Sequence, residues 1–191
     1  MTQTTDSRRQ TAGFSIRPAA PADLAEARAL MIRTFEEDFG YGYKPEYHAD
    51  VDDLQGVYLD NPRHALFVAV DDESGAIIAT GGVRHNDLKP EFNPAWLLAR
   101  YNPPRTAQLV RIYVLREHRR RGLARAMVAR TLQFVAEAGG YDVVALHTDP
   151  KSPGAERFWR AMPTTLILDD RDGPSGSLHF EMAIPALEAR Q

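Results

Sequence analysis

The chain has 191 residues, 43% of them hydrophobic and 26% charged, with a formal net charge of -3 and no cysteine. That balance is the one of an ordinary globular protein with a core large enough to need no staple. It excludes a disulfide framework, a thiolate metal site and a cysteine nucleophile, and the negative net charge argues against a general nucleic-acid binder.

Residues 1–13 are polar, lack the apolar stretch of a secretory signal, and are expected to form a flexible tail ahead of a single domain over 14–187. Phe14 to Arg17 reads as a short strand. Asp23 is then expected to cap a helix whose Leu24, Ala27, Leu30, Met31 and Phe35 follow helical spacing. Gly40, Gly42 and Pro45 end it, and Tyr47 to Leu59 offers a weaker helical segment. His64 to Val70 and Ala76 to Val83, joined by Asp71-Asp72-Glu73-Ser74-Gly75, predict a β-hairpin. Four prolines between Asp87 and Pro104 mark a loop or insertion with one helical turn around Ala95 to Ala99.

Ala107 to Val114 predicts a strand. Leu123 to Ala138 predicts a helix closed by Gly139-Gly140, with Leu123, Met127, Thr131, Leu132 and Val135 on one side. A buried strand at Asp142 to His147, a helix from Pro153 to about Ala161, and strands at Thr165 to Leu168 and Ser177 to Ile184 complete a mixed-sheet α/β domain. No apolar run approaches the length of a membrane span, and a soluble cytoplasmic protein is expected.

The junction between the strand at Ala107 to Val114 and the helix from Leu123 concentrates positive charge: Arg111, Arg116, Arg119, Arg120, Arg121 and Arg125. A helix N-terminus leaves N–H groups without intrahelical acceptors and carries partial positive charge. Gly122 lets the backbone approach a ligand closely, and Ala124 keeps the first turn open. Such a turn suits a pyrophosphate. The plain alternative is a strand–loop–helix connection with solvated arginines. Neither a Walker-type phosphate loop nor a Gly-x-Gly-x-x-Gly fingerprint occurs.

Arg119, Gly122 and Ala124 fall on the fixed positions of Arg/Gln-x-x-Gly-x-Gly/Ala, so the segment resembles the acetyl-CoA signature of the GNAT superfamily of N-acetyltransferases. Ser15-Ile16-Arg17-Pro18 looks like that family's opening strand, Leu109 to Val114 like its fourth, and Ala155-Glu156-Arg157-Phe158-Trp159 like the helix after its fifth. The resemblance implies a mostly antiparallel central sheet flanked by helices, with fourth and fifth strands splayed around the pantetheine arm. It implies acetyl-CoA as co-substrate and no metal. The backbone of Ile112 would polarise the thioester and that of Tyr113 and Val114 would line the pantetheine. The pyrophosphate would rest on Arg119, Arg120, Arg121, Gly122, Leu123, Ala124 and Arg125, with Ser152 and Phe158 alongside the cofactor.

The chemistry so implied is attack of an amine on a thioester without a covalent acyl-enzyme. An alkylammonium with a pKa of about 10 costs on the order of 4 kcal/mol to deprotonate at neutral pH. A base and an oxyanion donor are therefore expected. Some members of the family carry a glutamate base where this chain has Gln108, and a tyrosine acid, seven residues after an asparagine, where it has Trp159 after Ser152. Pro163 replaces a usual glycine.

Three explanations follow. The base lies elsewhere, with His85 and Glu36 ahead of Glu37 and His147. Or the acceptor arrives neutral, or loses its proton through a water chain, so that positioning and the oxyanion contact carry most of the rate, with Tyr113 or Tyr41 protonating the thiolate. Or the chain is a CoA-binding sensor or inactive relative. The acidic residues Glu36, Glu37, Asp38, Asp50, Asp52 and Asp53 suggest a cationic amine, small molecule or peptide, as acceptor, or else a solvated helix face. No calcium loop or histidine ligand spacing is present, nucleic acid and membrane are not expected partners, and a homodimer through strand or helix edges is left open.

Overall fold

The computed structural model describes residues 13–186. The expected tail, apart from Gly13, lies outside the described residues. Strands β1 (Phe14–Pro18), β2 (Ala65–Asp71), β3 (Ile77–His85), β4 (Thr106–Val114), β5 (Val143–Thr148), β6 (Thr165–Asp169) and β7 (Leu178–Met182) form one sheet in the order β1-β2-β3-β4-β5-β7-β6. Every neighbouring pair is antiparallel except β4 and β5. This is the mixed, mostly antiparallel sheet that the resemblance implied.

Helices cover both faces. On one lie α1 (Leu24–Thr34), which continues as a π-helical turn at Phe35–Phe39, and α2 (Pro45–Asp52), followed by a π-helical turn at Gln55–Leu59. Ala27, Leu30, Met31, Phe35, Val51 and Tyr58 pack there against Leu66, Val68 and Ile77. The weaker helix expected over Tyr47 to Leu59 is thus two pieces. Asp53 separates them, its carboxylate accepting the Gly56 N–H at 2.9 Å as a fresh cap. Asp23 likewise departs from its expected role. It takes the Ala20 N–H at 2.7 Å and two hydrogen bonds from Arg17, so it closes a short 3-10 turn ahead of α1.

The opposite face carries α4 (Leu123–Ala138) and α5 (Ala155–Arg160). Leu123, Met127, Val128, Thr131 and Val135 of α4 are buried, a stripe with the helical period. The helix lies close to the sheet because β3 offers Gly81 beneath it: a Cβ there would sit 2.4 Å from Met127 Cγ. On the other side of the same strand a Cβ at Gly82 would meet the Tyr58 ring at 3.0 Å. Consecutive glycines therefore let both helical layers press on one strand. The insertion between β3 and β4 holds a helix longer than the turn expected, α3 (Ala95–Tyr101), which packs Leu97 and Tyr101 against Ala145 of β5.

Candidate active site

β4 and β5 run parallel and pair through only Thr106↔Val143, Ala107↔Val144 and Gln108↔Ala145. Beyond Gln108 the strands part, and β5 keeps its hydrogen bonds to β7 instead, out to Thr148↔Leu178. The gap that opens runs toward the loop after Val114. A second irregularity falls on the same strand. The β3–β4 register slips between Thr80 and Gly82, so that Arg111 and Ile112 together face Gly81, and Arg111 adopts φ 57°. Such a bulge leaves one residue out of the ladder and re-aims its neighbours. Thr80 Oγ1 donates to the Arg111 carbonyl at 2.9 Å and fixes it.

At the mouth of the gap, Arg120 (φ 66°) and Gly122 (φ 81°) both take left-handed conformations. Their effect is to turn a run of amides outward. The Arg119 N–H reaches the Arg116 carbonyl at 3.3 Å and the Ala126 N–H reaches Gly122, but the six N–H groups from Arg120 to Arg125 find no acceptor among the described residues. Six unsatisfied donors at the positive end of a sixteen-residue helix form an anion cradle.

The arginine side chains divide their labour. Arg119 donates to the Val114 carbonyl at 2.9 Å and to Asp38, and Arg116 reaches Asp38 at 2.7 Å. Arg125 holds the end of α5 through the Ala161 carbonyl at 3.1 Å. These side chains brace the turn, which leaves its backbone facing out. Arg121 sits beside His118 and Asp71 at the rim.

A scan of protein families matches the acetyltransferase (GNAT) family over residues 28–162. The chain belongs to the GNAT family. Solved structures share its fold at low identity. A GNAT acetyltransferase of Staphylococcus aureus Mu50 superposes with a TM-score of 0.69 at 14% identity, covering 90% of this chain and 99% of that one. The acetyltransferase yncA of Salmonella typhimurium, solved with acetyl-CoA, gives 0.66 at 12% identity over 93% and 97%. The paia N-acetyltransferase of Thermoplasma acidophilum, in complex with coenzyme A, gives 0.63 at 13% over 89% and 98%. Among curated proteins none matches this chain in sequence.

Within this GNAT frame the other expected site residues separate by sheet face. His85 is the last residue of β3, and its ring packs against His64 at 4.8 Å and Tyr141 at 5.8 Å, on the α4 side. Arg84, one residue earlier, points to the α1–α2 side and donates to Gln108 Oε1 at 3.0 Å. His85 is thereby separated by the sheet from the face that Arg84, Gln108 and Tyr113 share. Burial, then the charges of His64 and Arg63, lower its pKa.

Tyr113 lies on the α1–α2 face, its hydroxyl accepting from Arg111 at 3.3 Å and its ring edge-on to Phe35 and Phe39. Tyr41 is 42% exposed on the same wall, and burial of its hydroxyl end, together with the charges around Tyr113 and Asp149, raises its pKa to about 12. Ser152 forms part of the turn into α5 and borders a surface recess with Pro150 and Arg157. Phe158 stacks edge-on against the buried Trp159 at 4.9 Å.

The acidic cluster is largely spoken for within the chain. Glu37 pairs with Arg33, Asp38 with Arg116 and Arg119, Asp52 with Arg28 and Tyr43, and Asp53 caps Gly56. Asp50 is buried and bound by Arg111, Nη2 to Oδ1 at 2.5 Å and Nε to Oδ2 at 3.0 Å, and by the Tyr58 hydroxyl at 2.5 Å. Burial alone would raise the Asp50 pKa, but the Arg111 hydrogen bonds and charge outweigh it and bring it to about 2. Glu36 alone of the six makes no side-chain hydrogen bond among the described residues, and it is exposed.

Gln108, where the resemblance expected a glutamate of some relatives, is buried between two partners. Arg84 can only donate, so the atom it faces is the amide oxygen, and the amide nitrogen must face His147 Nδ1, 3.3 Å away. An amide nitrogen also only donates. His147 therefore accepts at Nδ1 and carries its proton on Nε2. The ring lines a small recess with Tyr101 and His179; the crowding there, then the nearby His179, Arg84 and Arg111, lower its pKa. Neither Arg84 nor this choice of tautomer stood out from the sequence, because both depend on strands β3, β4 and β5 lying side by side. Among the described residues no group of three His, Asp or Glu side chains is placed to hold a metal ion, and no helix is long and apolar enough to cross a membrane.

Proposed function

We propose that the protein transfers an acetyl group from acetyl-CoA to an amine by direct attack, with no covalent acyl-enzyme, in the cytoplasm where that donor is at hand. The observation that carries this reading is the run of free amides from Arg120 to Arg125 at the open end of the β4–β5 gap. A pyrophosphate on those amides would direct the pantetheine along β4, past Val114 and Tyr113 to Ile112 beside the bulge. A backbone N–H freed by the bulge would then polarise the thioester carbonyl.

Tyr41 and Tyr113 border the same face, and a phenol held beside the departing thiolate can deliver its proton to it. Glu36, free of internal partners, is the carboxylate available to take the amine's proton, directly or through water. The neutral His147 offers a donor at Nε2 rather than a base, which removes it from that role.

Calorimetric titration with acetyl-CoA, followed by thiol release across a panel of amines, tests the reading. Tight binding with turnover supports it. Binding without turnover on any amine supports the CoA-sensor alternative, and absence of binding overturns both. Gly122→Val should abolish binding with the fold retained, because the valine would have to adopt φ 81° and would screen the cradle, although its Cβ meets no atom within 4 Å.

A further inference from the structure

Arg84 is a half-buried cation with one internal hydrogen bond, from Nε to Gln108. No carboxylate of the described residues lies within ion-pair distance of it. Asp50 and Glu181 on this sheet face are already engaged within the chain. Asp50 is saturated by Arg111 and Tyr58, and Glu181 of β7 accepts from Arg100 at 3.1 Å and Tyr101 at 2.5 Å. His147 and His179 can supply no anion to Arg84. Asp50 feels the charge of Arg84, but its oxygens are taken by Arg111 and Tyr58, so Arg84, Arg111 and Asp50 together form a floor that keeps a net positive charge, and the terminal guanidinium nitrogens of Arg84 make no hydrogen bond among the described residues.

A guanidinium fork is the group best matched to a carboxylate, and partial burial strengthens such a pair. Beside it, Gln108 links Arg84 to His147, whose proton the amide places on Nε2 as a further donor. Aromatic rings lie nearby: Tyr47 of α2, whose carbonyl accepts from Arg111, and Phe92 of the insertion approach to 6.2 Å, and both are exposed, as is Trp96. The floor sits where β4 and β5 begin to part, at the inner end of the gap assigned to the donor.

Building on the acetyl-transfer reading, we propose that Arg84 binds a carboxylate of the acceptor, so that the substrate class is an amine that also carries a carboxylate, such as an amino acid, rather than a polyamine. The acceptor's amino group would then lie toward Ile112 and its apolar side chain toward Tyr47 and Phe92. Acyl transfer follows simply: the neutral amine nitrogen bonds to the thioester carbon, the carbon–sulfur bond breaks, the amine's surplus proton leaves to base or water, and CoA departs as the thiol after protonation.

The test compares the twenty amino acids with their carboxamides and decarboxylated amines at saturating acetyl-CoA, reading thiol release. The full-length protein should prefer the carboxylate form of its best substrate by at least tenfold in kcat/KM. Carboxamides have the more readily deprotonated amine, so that preference would not reflect nucleophilicity. Arg84→Met should raise KM for the carboxylate form at least tenfold more than for the decarboxylated amine, with Arg84→Lys recovering part of the loss.

Equal loss on both forms, or preference for the decarboxylated amine, would overturn the assignment. Binding of N-acetylphenylalanine and its amide to the CoA-loaded protein is measured alongside. If no amine turns over, the carboxylate product should still bind tenfold tighter and lose that margin in Arg84→Met; equal binding sinks the carboxylate subsite, whereas loss of CoA binding sinks only the acetyl-transfer reading.

Discussion

Arg111 and Asp50 meet as a buried, two-pronged ion pair that ties the bulge of β4 to α2, and the same guanidinium reaches the Tyr47 carbonyl at 2.9 Å. The bulge and α2 are therefore one mechanical unit. Removing either partner strands a charge where water cannot solvate it. Arg111→Met or Asp50→Asn should each cost roughly 3–5 kcal/mol in urea denaturation. The double variant Arg111→Met, Asp50→Leu should lose clearly less than the sum of the two single losses. Additive losses would show that the pair is not coupled.

Asp38 offers a second test, this time at the donor end. Its carboxylate is buried and receives both Arg116 and Arg119; burial opposes its ionisation, but the two arginines prevail and hold its pKa low. Arg119 in turn clamps the Val114 carbonyl, so Asp38 positions the turn without touching the ligand. Asp38→Ala should lower stability by about 2 kcal/mol and weaken acetyl-CoA binding several-fold, with the enthalpy of binding most affected. Unchanged affinity would mean that the turn holds its shape through Arg120 and Gly122 alone.

The elements that repeat a local period were legible in the sequence. The β2–β3 hairpin, β4, α4 and the Gly122 turn all rest on contacts between near neighbours or on one amphipathic stripe. What escaped depends on distant segments. The bulge sits on an arginine rather than a glycine, so no residue type announces it. α2 and the π-helical turn after it broke apart at Asp53 because the carboxylate found a nearer N–H to cap. His85 and Glu36 were equivalent candidates in the sequence, and only the pleat of β3 places His85 on the far face from Tyr113. Gln108 appeared as a missing glutamate; paired with Arg84 and His147 it is a part with its own role.

His48 gives the fold a pH dependence with a definite sign. Its ring is buried, stacks on Phe35 at 3.8 Å and accepts the Lys44 N–H at Nδ1. Burial and then the Arg111 charge lower its pKa to about 4, against the weaker opposing pull of Asp50, Glu46 and Asp52. The unfolded chain takes up this proton near pH 6.5 while the folded one does not, so stability is complete above that pH and is lost as pH falls toward 4. His48→Phe, which retains the stack, should flatten the stability–pH slope in that window by up to about 1.4 kcal/mol per pH unit. An unchanged slope would assign the whole effect to the other histidines. Loss of Asp50 charge is separable, since its pKa of about 2 places it at lower pH.

Gln108→Glu probes the polar chain from Arg84 to His147. In the native chain the amide nitrogen donates, so the His147 proton is held on Nε2. A carboxylate in its place can only accept. It should pair with Arg84 and draw the imidazole proton to Nδ1, which frees Nε2 to accept and raises the histidine's pKa from its lowered native value. Long-range proton–nitrogen NMR of the imidazole distinguishes the two tautomers directly, and a native spectrum showing protonated Nδ1 would refute the chain. The same substitution neutralises the positive floor. It should therefore erase the preference for carboxylate-bearing acceptors even if, by supplying a base, it accelerates transfer to simple amines; a variant that kept the preference would separate the carboxylate subsite from Arg84.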